Sequence, residues 1–98
     1  MTPEELASHI HDLLLAEIAQ GHLSLDPADV PDTVKVERPR NRDHGDWASN
    51  IAMQLAKKAG MNPRDFAQIL VSGLNELEGI DSAEIAGPGF INIRLAAA

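Results

Sequence analysis

AGPGFINIRL, residues 86–95, sets the plan of the chain. Gly87-Pro88-Gly89 is a tight-turn cluster, and the extended run IDSAEIA precedes it, so the segment reads as a β-hairpin. After the turn the residues alternate as a strand does. Ile91, Ile93 and Leu95 fall on one face, Phe90, Asn92 and Arg94 on the other. The aliphatic trio belongs to a core. The second face places one of only two phenylalanines beside an amide and a guanidinium, which is unusual for the wet side of a sheet.

Upstream of the hairpin the pattern is helical. Thr2, Pro3 and Glu5 form a Thr-x-x-Glu capping box with proline at the first helical position. Leu6, Ile10, Leu13, Leu14 and Ile18 recur behind it at helical spacing until Gly21. Residues 22–33, with Pro27 and Pro31, read as a loop, and TVKVERP as a short strand with Val34 and Val36 inward, ended by Pro39. A second helix is expected to follow Asp46 as N-cap, burying Trp47, Ala48, Ile51, Ala52, Leu55, Ala56 and Ala59 before Gly60. Asn62 and Pro63 open a third, with Phe66, Ile69, Leu70, Leu74 and Leu77 inward and Gly79 at its close. The predicted architecture is α+β, three main helices packed on one face of a small antiparallel sheet. The outer face then carries Phe90, Asn92 and Arg94. The terminal LAAA reads as the start of a linker.

At 98 residues the chain has room for one domain and one core, and an apolar fraction of 44% is that of a folded protein. No run is long enough for a membrane span, and MTPEEL has neither the basic nor the apolar region of a secretory signal. The absence of cysteine removes disulfide and thiolate chemistry and fits a cytoplasmic protein. The net charge of −7 opposes polyanion binding, but its distribution does not. Residues 1–32 hold seven acids and no Lys or Arg, while residues 33–64 hold seven bases against three acids. Such asymmetry either marks one face for a polyanion or lets the two halves attract each other.

Few residues offer catalytic chemistry. Asp43, His44 and Asp46 have the side chains for a metal site or an Asp–His pair, but a helix entry explains the same tetrapeptide, DHGD. Arg38, Arg40 and Arg42 stand on alternate positions before that entry and can meet a phosphate there or pair with the acidic first arm. No phosphate-cradling glycine loop and no Ser or Cys nucleophile with a base is present. We expect no catalytic residue, no metal and no cofactor in this chain. Phe90, Asn92 and Arg94 are a different matter: a ring to stack on a base, an amide to read its edge, and a cation for its phosphate. The alternative is a Phe90 covered by a helix end or by the hairpin.

VERPRNRDHGDWASNIAMQLAKKAGMNPRDFAQIL followed by EIAGPGFINIRL resembles the N-terminal additional domain of arginyl-tRNA synthetases. The likeness runs from about Leu6 onward, through His44-Gly45-Asp46, Asn50, Ala52, Leu55-Ala56-Lys57, Pro63 and Gly87 to Asn92. It implies a non-catalytic α+β appendage that touches the tRNA elbow at the D-loop. There an aromatic residue after the Gly-Pro turn stacks on an exposed nucleotide, and an amide two positions later hydrogen-bonds to it. Those positions match Phe90 and Asn92, although some relatives carry a longer glutamine at the second. Some also carry asparagine where this chain has Gly87. The implied tRNA-binding residues are Phe90, Asn92, Gly87, Arg94, Arg38, Arg40 and Arg42. The implied parent is a class I arginine–tRNA ligase using ATP with Mg, whose His-x-Gly-His and Lys-Met-Ser-Lys-type signatures are absent here. Residues 1–98 are then a single domain whose partners are an arginine-accepting tRNA and the catalytic core of the same chain. A free-standing, non-catalytic interaction domain is the alternative.

Overall fold

In the computed structural model the described residues are 1–97, with Arg42 described in its backbone alone. Helix α1, Pro3–Ala19, begins where its capping box dictates. The Glu5 amide donates to the Thr2 hydroxyl and the Thr2 amide to the Glu5 carboxylate, both at 3.1 Å. Leu6, Ala7, Ile10 and Leu14 are its buried stripe. The loop that follows holds one short 3₁₀ turn, Pro27–Asp29, and sends Leu23, Leu25 and Val30 into the core.

Strand β1, Trp47–Ser49, stands where the sequence predicts the first turn of a helix. Helix α2 begins only at Ile51 and runs to Ala59. The expected N-cap role of Asp46 is therefore wrong. Its amide donates to the Ile93 carbonyl and its carboxylate accepts from the Leu95 amide, each at 2.8 Å, which extends the sheet instead. Both backbone groups of Ala48 are bonded to Glu37, at 2.7 and 2.9 Å, so this residue is not free to enter a helix. Buried Ser49 takes over the capping, accepting from the Ile51 amide at 3.3 Å while donating to the Lys35 carbonyl at 3.0 Å. A three-residue strand is too short to show alternation, and its apolar residues mimic a helical stripe.

TVKVERP forms only the single bridge Glu37–Ala48 and not the expected strand. The predicted facing survives: Val34 is buried, Val36 half-buried and Lys35 exposed. Pro39 removes a backbone donor just beyond the bridge, which ends any ladder there.

Helix α3, Pro63–Leu74, opens with the Asn62 side chain accepting from the Arg64 amide at 2.8 Å. It ends at Asn75, before the expected stop at Gly79. The physical reason lies across the fold. The Asn75 side chain accepts from the Ala83 amide at 2.8 Å and donates to the Ala83 carbonyl at 3.3 Å, docking the helix end on the sheet edge. Strands β2, Ile80–Ala86, and β3, Phe90–Leu95, make the predicted hairpin. The sheet is antiparallel in the order β1-β3-β2, with a bulge between Ile80 and Ser82. Ile91 and Ile93 are fully buried beneath α2 and α3, and α1 packs on α3. One continuous apolar cluster joins these elements. Of the terminal alanines, Ala96 donates to the Gly79 carbonyl at 3.0 Å and Ala98 lies outside the described residues.

Candidate functional site

Residues paired directly across antiparallel strands point to the same face. Phe90 pairs with Ala86, Asn92 with both Glu84 and Ala48, and Arg94 with Ser82. These residues make the face turned away from the helices. Segment 37–40 runs beside β1 along this face and raises one wall of an open cleft of about 470 Å³. Glu37, Arg38, Pro39, Arg40 and His44 line one side; Ala86, Gly87, Phe90 and Asn92 line the other, and Ala48 also contributes. Phe90 is 36% exposed, one of two large hydrophobic residues left so open among the described residues.

Three backbone features hold this geometry. Gly45, buried at φ +142°, lies so close to β3 that a Cβ there would sit 2.8 Å from the Ile93 carbonyl oxygen. Only glycine lets the 3₁₀ turn Arg42–His44 dock against the sheet in this way. Gly89, at φ +149°, would bring a Cβ within 2.8 Å of Pro63. The Arg64 guanidinium donates to the Gly87 carbonyl, and together these contacts clamp the hairpin turn to the start of α3.

The cations anticipated for phosphate binding divide into two groups. Arg38 lies over the Trp47 ring, 4.1 Å from its centroid, and donates to the Asp46 carbonyl at 3.1 Å. Arg94 donates to the Asp43 carbonyl at 2.7 Å, tying the 3₁₀ turn to β3, and it is not among the cleft-lining residues. Arg40 reaches the cleft with no hydrogen bond or ion pair to any described residue. The side chain of Arg42 lies outside the described residues. None of these arginines stands at the N-terminus of α2, which begins only at Ile51, where Ser49 already caps the first amide. Nor do Arg38 and Arg40 pair with the acidic first arm. Among the described residues the ion pair joining the two halves is Lys58–Asp29, at 3.6 Å.

Glu37, His44 and Asn92 resemble Arg40 in this respect: their side chains line the cleft and engage no described partner. Four polar side chains without described partners thus line the cleft together with Phe90. Asp43, His44 and Asp46 do not combine as ligands, and no group of three or more His, Asp or Glu among the described residues is placed to hold a metal ion. No helix among the described residues is long and apolar enough to cross a membrane. Glu37, Ala48 and His44 are not legible as cleft residues from the sequence. Their place depends on β1, whose pairing no local pattern announces.

The fold and cleft define a class: three helices over a small antiparallel sheet whose other face carries an open cleft. Residues 3–95 match the family described as the arginyl tRNA synthetase N terminal domain, and the chain belongs to that family. The arginine–tRNA ligase of Kineococcus radiotolerans is 57% identical to it over 98 residues, which is 100% of this chain and 18% of that protein. That of Paenarthrobacter aurescens is 56% identical over the same shares. Among solved structures, Thermus thermophilus arginyl-tRNA synthetase superposes with a TM-score of 0.70 at 26% identity, covering 98% of this chain and 14% of that one. Arginyl-tRNA synthetase from Plasmodium falciparum shares the fold, with a TM-score of 0.63 at 20% identity over 98% of this chain and 17% of its own. The chain thus spans under a fifth of the length of the ligases it matches, 18% for the first two.

Proposed function

We propose that this chain is the tRNA-binding domain of an arginine–tRNA ligase and that its cleft receives an exposed nucleotide of the D-loop at the tRNA elbow. In this reading residues 1–98 form one domain, and the catalytic core, with its ATP and Mg, belongs to the same longer protein. The observation that carries the reading is the cleft itself, where an exposed Phe90 ring stands beside the uncommitted side chains of Asn92, Arg40, Glu37 and His44. Phe90 offers the stacking surface and Asn92 the donor and acceptor for a base edge. Arg40 meets a phosphate. Arg38 and Arg94 act one step back, holding the cleft wall and the 3₁₀ turn in place. The domain adds affinity and orientation for tRNA and supplies no group to the chemical step.

The test is steady-state aminoacylation by the full-length ligase carrying Phe90→Ala. Base–aromatic stacking contributes about 1–3 kcal/mol, so the KM for tRNA is expected to rise roughly tenfold, while kcat and the KM values for arginine and ATP hold. An unchanged KM for tRNA rules out Phe90 as the stacking platform.

A further inference from the structure

We propose that Glu37 is the base-selecting wall of this cleft and that, with Asn92, it favours nucleobases bearing an exocyclic amino group over uracil. The inference rests on the nucleotide-binding reading above and narrows it to a class of base.

The geometry comes from the sheet register. Glu37 is bridged to Ala48, Ala48 is paired with Asn92, and Asn92 with Glu84. One row of side chains therefore crosses the outer face: Glu37, Ala48, Asn92, Glu84. Its second member has only a methyl group, 5% exposed, which forms the floor between the first and the third. Two strand spacings of about 4.8 Å place the backbones of Glu37 and Asn92 roughly 10 Å apart. Phe90, two residues before Asn92 on the same strand, stands at one end of this floor. All four of these residues, Glu37, Ala48, Phe90 and Asn92, line the cleft. A base stacked on the Phe90 ring thus presents one edge toward Asn92 and another toward Glu37.

The two walls differ in what they accept. An asparagine amide carries both donor and acceptor and rotates to suit either, so it discriminates weakly among bases. An ionised carboxylate only accepts. No described residue forms an ion pair or hydrogen bond with the Glu37 side chain, which leaves its lone pairs available to a ligand. Adenine, cytosine and guanine each offer an exocyclic amine to such a group. Uracil offers a single ring N–H flanked by two carbonyl oxygens, which a carboxylate repels. Sites built around one obligatory hydrogen-bond sense reject ligands that lack it.

The experiment titrates the 98-residue chain, labelled with ¹⁵N, with the RNA pentamers UUAUU, UUCUU, UUGUU and UUUUU, following the amide signals of Ala48, Phe90 and Asn92. The three amino-bearing pentamers are expected to bind at least about fivefold more tightly than UUUUU. In Glu37→Gln, a surface change that leaves the core untouched, that ratio should fall to near unity while the Phe90 and Asn92 signals still move. Loss of a negative charge strengthens all four pentamers, so the ratio is the readout rather than any single affinity. Equal binding by the unmodified chain, or a preference that survives in Glu37→Gln, overturns the role of Glu37 and leaves the stacking reading standing. If no pentamer moves the Phe90 and Asn92 signals, both fall.

Discussion

Gly45 shows how a single residue connects distant parts of this fold. Read locally it is a turn glycine, and its composition signal ends there. In the structure its α-carbon rests against β3, where the Ile93 carbonyl leaves no space for a side chain. The Asp46 amide then reaches Ile93 and the Asp43 carbonyl receives Arg94, so the turn carrying His44 is fastened from two sides. Gly45→Ala forces either the turn or the strand to move. Its stability should fall by roughly 1–3 kcal/mol, seen as a lower urea midpoint at unchanged m-value. A midpoint within error of the parent would show that the close approach is not needed. The same contrast holds for Phe90 and Glu37. Strict alternation along β3 exposes Phe90 in the sequence itself, whereas Glu37 enters the cleft only through a bridge to Ala48 that no neighbouring residue predicts.

At the scale of elements, what the sequence makes legible is what is locally determined. The capping box, the Pro63 start of α3 and the Gly87-Pro88-Gly89 turn all rest on short-range hydrogen bonds or dihedral preferences, and all three form as read. β1 reads as helix in the sequence because its hydrogen bonds go to Glu37 and β3, both outside its own segment, and because Trp47, Ala48 and Ile51 fit a helical stripe equally well. The sequence places the end of α3 too late because Asn75 binds Ala83 across the fold. The capping box carries a pH signature of its own. The Thr2 backbone amide, first, and the Thr2 hydroxyl hold the Glu5 carboxyl below its usual value. A depressed folded-state value means that the stabilisation is present above the unfolded value, about 4.3 for glutamate, and is lost as pH falls through the folded one. Glu5→Ala should therefore melt below the parent at pH 7, and the gap should narrow as the pH falls below about 4.3. A gap that persists undiminished in acid would assign the effect to helix propensity rather than to the carboxylate.

The whole molecule is acidic, yet its cleft face is not uniformly so, and the difference can be measured. Acid dominates α1, the loop after it, and the segment from Glu76 to Glu84, while Arg38, Arg40, Arg64 and Arg94 gather around the cleft and its supports. Net charge alone therefore misjudges the surface, and the sequence dipole alone overstates the cations available to a phosphate. The structure corrects both, because Arg38, Arg64 and Arg94 donate to backbone carbonyls within the domain. An uncommitted guanidinium such as Arg40 releases one counterion equivalent when a single strand binds, which contributes about −0.7 to the slope of log affinity against log salt. The parent chain with UUAUU should accordingly show a shallow slope, between about −0.7 and −1.5. Arg40→Gln should flatten it by about 0.7. Arg94→Gln should weaken binding through a loosened 3₁₀ turn while leaving the slope where it was. If Arg94→Gln flattens the slope as much as Arg40→Gln does, its guanidinium leaves the Asp43 carbonyl for a phosphate on binding, and the division between structural and ligand-facing arginines fails.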